Sequence, residues 1–136
     1  PNYVTPTGLK QLETETARLE KLRSELSPQK ENPIVQQQLG MVERDLRYFQ
    51  ARLEQAILVE PSKNDKVVFG ATVQMEDEEG VLHTFTIVGE DEADIAAHRV
   101  SWVSPLAKAL LGHKVGESVV WRRPAGDMNL EIIAIN

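Results

Sequence analysis

Residues 35–56 read VQQQLGMVERDLRYFQARLEQA, and within them Val35, Leu39, Val42, Leu46, Phe49, Leu53 and Ala56 follow one another at spacings of 4, 3, 4, 3, 4 and 3. Alternating steps of three and four put these residues on one stripe of an α-helix, the seam of a coiled coil. A strand, whose side chains change face at every residue, cannot generate the pattern. The stripe fills about two positions in seven, enough to bury against one partner helix and too narrow to cover a sheet. The partner lies upstream, where Leu9, Leu12, Leu19 and Leu26 keep the register, Thr16 and Arg23 fill weaker seam positions and Leu22 widens the stripe.

Thr5-Pro6 supplies an N-cap followed by proline at the first helical position, so the first helix is expected over Pro6 to Leu26. The segment Ser27-Pro28-Gln29-Lys30-Glu31-Asn32-Pro33 carries two prolines and no apolar side chain, and reads as the connection between antiparallel helices. A second helix from Ile34 to Ile57 would be about 36 Å long at 1.5 Å per residue. Residues 1–60 are thus expected to form a projecting helical hairpin.

From Glu60-Pro61-Ser62-Lys63-Asn64-Asp65, read as a linker, the pattern changes to period two. A strand from Lys66 to Met75, a turn at Glu76 to Gly80 and a return strand from Val81 to Val88 make a β-hairpin. A strand around Arg99 to Val103 is followed by a short helix with Ser104 as its cap, Pro105 at its first position and Gly112 past its end. Strands at Ser118 to Arg122 and Met128 to Ile135 flank a Pro124 to Asp127 turn. Residues 61–136 therefore read as a small α+β domain, expected to unfold separately from the hairpin across the linker.

The 136-residue chain carries 15 basic and 21 acidic side chains, a formal charge of -6 that gives no general attraction to nucleic acid or an acidic membrane. With no cysteine there is no disulfide, thiolate zinc site or thiol nucleophile. The longest purely apolar run, Ala56 to Val59, is far short of a membrane span. Pro1 is read as following a removed initiator Met, and the chain is expected to be cytoplasmic. His83, His98 and His113 are scattered without metal-ligand spacing, Ser104 is not set in a nucleophile elbow, and no glycine-rich phosphate loop is present. The acidic runs Glu76 to Glu79 and Glu90-Asp91-Glu92 with Asp94 lack calcium-loop spacing and are expected to be solvated faces.

The segments Val68-Phe69-Gly70-Ala71-Thr72-Val73 and Ile87-Val88-Gly89-Glu90-Asp91-Glu92-Ala93-Asp94, then Ser101, the run Ser104 to Gly116 and the Pro124-Ala125-Gly126 turn, resemble the bacterial GreA/GreB transcript cleavage factors. Thr5-Pro6-Thr7-Gly8-Leu9 and the heptads extend the likeness into the first half. The resemblance implies an FKBP-like C-terminal domain docking on RNA polymerase beside its secondary channel, with the hairpin pointing into it. For docking it points to Ser104, Pro105 and the acidic loop around Asp91. It implies no cofactor of the chain's own, only a magnesium ion shared with the polymerase and held by two acidic side chains at the hairpin tip. Nucleic acid would be met only inside that complex.

At the tip the sequence departs from the family: Glu31 and Asn32 match, Pro28 stands where an Asp is expected, and the arms are shorter by roughly two to three helical turns. Val103 replaces a commonly polar residue before Ser104-Pro105. The expectation is a polymerase-binding regulator, not itself an enzyme, that stimulates transcript cleavage weakly or not at all. A full cleavage factor relying on Glu31 and a polymerase-independent coiled-coil module are the alternatives, while prolyl isomerase activity would follow from the fold alone.

Overall fold

The structure, a computed structural model, describes residues 1–136 and is α+β. Helix α1 (Pro6–Leu26) starts where Thr5, in extended conformation, accepts a 3.0 Å hydrogen bond from the Gly8 N–H through its hydroxyl. Pro6 follows the cap, at a position whose N–H has no helical partner anyway. A 3-10 turn over Ser27–Gln29 leads to helix α2 (Pro33–Glu54), capped by the Asn32 side chain on the Ile34 N–H at 2.9 Å. The helices pack on each other around Leu19, Val42 and Leu46, with Leu22, Leu26 and Phe49 against them. Leu12 and Val35 are also buried, while Thr16 satisfies its hydroxyl on the Leu12 carbonyl at 2.7 Å and Arg23 stays exposed.

Helix α2 stops at Glu54, three residues before the expected Ile57. Strand β2 (Ala56–Leu58) takes over and pairs in parallel with β1 (Asn2–Val4), Tyr3 opposite Ile57. The Asn2 amide donates to the Arg52 carbonyl at 2.8 Å, one of the last-turn carbonyls that a helix leaves without a partner. The chain start therefore caps the end of α2 and supplies the strand that diverts it.

The remaining strands, β3 (Thr72–Asp77), β4 (Leu82–Val88), β5 (Arg99–Ser101), β6 (Ser118–Trp121) and β7 (Met128–Ile135), form one sheet in the order β5-β4-β3-β7-β6. Only the β4–β5 pair is parallel. Helix α3 (Pro105–Leu110) seals it: Leu106 and Leu110 join Val67, Val73, Met75, Ile87, Leu130 and Ile132 in the core. The strand expected from Lys66 begins only at Thr72. Gly70 at φ +86° breaks the extended run, and the Ala71 N–H closes a turn on the Val68 carbonyl at 3.0 Å. Val67 keeps its core position by pairing elsewhere, donating to the His113 carbonyl and accepting from the Gly112 N–H, both at 2.8 Å. The Glu60 to Asp65 segment is irregular and exposed. No helix is long and apolar enough to cross a membrane.

The β3–β4 turn rests on Asp77. Its carboxylate accepts from His83 Nε2 at 2.9 Å and from the N–H groups of Glu79 and Val81 at 2.9 and 3.0 Å. These bonds, His83 first, hold the Asp77 carboxyl below its usual range. A folded-state pKa below the unfolded one adds stability above about pH 4 that is lost as pH falls through the folded value. Asp77→Asn should therefore lose less melting temperature than the parent between about pH 5 and pH 3. An equal loss would place the acid sensitivity elsewhere.

Candidate functional site

Three places carry the residues that the sequence singled out. The first is the turn joining α1 and α2. Lys30, Glu31 and Asn32 are exposed there, and Glu31 has no ion-pair partner. From Ser27 to Asn32 it is the one carboxylate. The Ser27 hydroxyl turns back onto the Arg23 carbonyl at 2.7 Å, closing the end of α1.

The second place is a groove of about 460 Å3 at the start of α3, where Ile95, Pro105, Leu106, Trp121, Pro124 and Ala125 supply an apolar floor. Ser104 accepts from the Ala107 N–H at 3.3 Å, so its hydroxyl caps α3, and Pro105 lies exposed in the groove wall. Trp121 is backed by Phe85, their ring centroids 6.1 Å apart, and the Arg123 guanidinium lies 5.4 Å from the centre of the indole. Arg122 completes a basic rim, held at 3.0 Å by Asp127. Ile95 is 65% exposed, an apolar side chain that nothing in the chain covers. The sequence marked Ser104 and Pro105; Ile95 and Trp121 join them only through the folding of the sheet around α3.

Asp91 lies in neither place. It belongs to a 3-10 turn over Glu90–Glu92 at the base of the helix pair, where its carboxylate meets Arg52 Nε at 2.7 Å and accepts the Tyr48 hydroxyl. The Asp91 side chain is 15% exposed, and within the chain Arg52 and Tyr48 already engage it. The same hydrogen bond, followed by burial, holds the Tyr48 phenol above its ordinary pKa. Burial opposes the Arg52 charge, yet the bond to Asp91 and the nearby carboxylates outweigh it and raise that pKa as well. Glu92, expected on a solvated face, is buried. Tyr3 of β1 packs edge-on against Trp102 at 5.0 Å and near Phe69 at 6.1 Å, a second tie between the helix pair and the sheet.

Residues 61–136 match the family described as "Transcription elongation factor, GreA/GreB, C-term". The whole chain is similar to the transcription elongation factor GreA of Nitratidesulfovibrio vulgaris, with 35% identity over 148 aligned positions, 97% of this chain and 91% of the relative. It is also similar to GreB of Neisseria meningitidis serogroup B, at 34% identity and 98% and 93% coverage. Among solved structures, the GreA factor homolog 1 (Gfh1) protein of Thermus thermophilus matches with a TM-score of 0.50 and 22% identity over 99% of this chain and 98% of that one, a likeness of fold. The alignment to the Nitratidesulfovibrio protein spans more positions than this chain has residues, so the relative carries residues where this chain has none. Together the match over the second half and the identity across nearly the whole length place this chain in the GreA/GreB family of transcription elongation factors.

Proposed function

We propose that this chain binds bacterial RNA polymerase in the cytoplasm and regulates elongation by occupying the secondary channel, with weak or absent stimulation of transcript cleavage. In this reading residues 1–60 are an antiparallel coiled-coil hairpin that enters the channel. Residues 61–136 are an FKBP-like half that docks at its rim through Pro105, Ser104 holding the helix start in place. An apolar floor with a basic rim suits a partner surface that offers an apolar anchor among acidic side chains.

The observation that carries the cleavage part is the turn between α1 and α2. Clamping the attacking and leaving oxygens of a phosphodiester between two metal ions requires carboxylates to hold the second ion. This turn brings one, Glu31, beside the Lys30 ammonium that competes for it, with Pro28 where the family resemblance expects Asp. That donor set does not fit a second magnesium ion. What remains is occupancy: a helix pair that excludes other factors from the same channel. The chain acts on the polymerase and is not an enzyme by itself.

Backtracked elongation complexes supplied with magnesium should release no more short RNA with this protein than without it, and Glu31→Ala should behave as the parent does. Strong cleavage that disappears in Glu31→Ala would replace this reading with that of a full cleavage factor.

A further inference from the structure

Glu92 is the one charged side chain among the buried residues, 7% exposed, and neither the groove nor the tip uses it. Its Oε2 accepts the Thr5 N–H at 3.0 Å and the Gly89 N–H at 3.1 Å, and its Oε1 takes the Thr5 hydroxyl. That hydroxyl oxygen in turn caps α1. The carboxylate is thus buried with each oxygen hydrogen-bonded, the condition under which a buried charge is tolerated. Two glycines leave room for it. A Cβ on Gly8 would lie 2.1 Å from Glu92 Cδ, and a Cβ on Gly89 would lie 2.4 Å from the Tyr3 carbonyl oxygen. The neighbouring Asp91 reaches the other way, to Arg52 in the last turn of α2, whose Nη2 also donates to the Asn2 side chain at 2.6 Å.

We propose that Asp91 and Glu92 are positioning residues: consecutive carboxylates on one rigid turn grip the start of α1 and the end of α2 and fix the direction in which the helix pair leaves the sheet. The lever is long. At 1.5 Å per residue the 22 residues of α2 span about 33 Å, so a swing of about 10° at the base moves the tip by roughly 6 Å. Displacements of that size decide whether a tip meets its target, because positional demands at a reacting centre are on the order of 1 Å. The assignment concerns the chain's own geometry and stands apart from the identity of the partner.

The chain has no cysteine, so spin labels at Gln29→Cys in the turn and Glu131→Cys on β7 can report tip-to-sheet distances by double electron–electron resonance. The parent should give one narrow distribution. Glu92→Gln should retain it, since the amide keeps an oxygen for the backbone N–H groups and an NH2 for the Thr5 hydroxyl oxygen. Glu92→Ala, Glu92→Asp, which is one methylene too short, and Gly8→Ala should each at least double its width while the far-ultraviolet helix signal is retained. Gly8→Ala separates the causes: alanine favours a helix more than glycine does, so broadening there comes from the displaced carboxylate and not from a weaker α1. Narrow distributions in both Glu92→Ala and Gly8→Ala overturn the assignment. So does broadening matched in every variant by loss of helix, because the contact would then hold the helices together and not aim them.

Discussion

Leu46→Ala is expected to lower the stability of this protein by about 2–5 kcal/mol, because the side chain is removed from a site that the backbone cannot close. Leu46 is 1% exposed and sits at the centre of the contact between α1 and α2, against Leu19 and Val42. Deleting it forfeits the transfer free energy of the lost methyl and methylene groups and leaves a cavity between two helices held at fixed spacing. Domains of this kind are stable by about 5–15 kcal/mol, so the loss is a large share of the total. Arg47, next in sequence and exposed, provides the control: Arg47→Ala should stay within about 0.5 kcal/mol. Urea denaturation followed by helix circular dichroism measures both. Equal effects would mean that the seam is not a packed interface, and the reading of residues 35–56 would fail with it.

Ile95→Asp should reduce affinity for core RNA polymerase by tenfold or more, about 1.4 kcal/mol per tenfold step, while leaving the fold as it is. Ile95 is 65% exposed beside Pro105, so a charge there costs the free protein little. In a complex the same carboxylate would be driven into an apolar contact, facing the acidic surface expected of the partner, and would be either desolvated or repelled. Binding measured at fixed ionic strength, with the thermal midpoint as a folding control, gives the answer. Unchanged affinity would move the docking surface away from this groove.

Both variants draw on features that the sequence exposed unequally. Helix ends were legible because each carries its own local chemistry: Thr5 before Pro6, Asn32 before Pro33, and Ser104 before Pro105, each with a side-chain oxygen that accepts a backbone N–H of the first turn. Strands β4 and β7 were legible from alternation. Strands β1 and β2, three residues each, are too short to show a period, and what orders them is Asn2 meeting Arg52 across 50 positions of chain. The base of the helix pair was hidden for the same reason. Glu90-Asp91-Glu92 looks like a solvated acidic run until Thr5, Gly8, Tyr48 and Arg52 are brought against it. The signal that could have revealed it is the pair of glycines, Gly8 in the first turn of a helix and Gly89 before the acidic run, where a side chain would collide with the clamp. The linker reading of Glu60 to Asp65 describes that segment's own irregularity. The two halves also meet away from it, at Tyr3 with Trp102, Thr5 with Glu92 and Arg52 with Asp91.

If this protein occupies the polymerase channel without supplying cleavage, it should compete with a GreA-type factor, and one competition experiment tests occupancy and inactivity together. A backtracked complex is being rescued by a GreA-type factor, and this protein is added in increasing amounts while short RNA release is followed. Cleavage should fall in a dose-dependent way toward the level seen without any factor. Cleavage that continues undiminished at saturating amounts, or that rises with this protein alone, would contradict occupancy without cleavage.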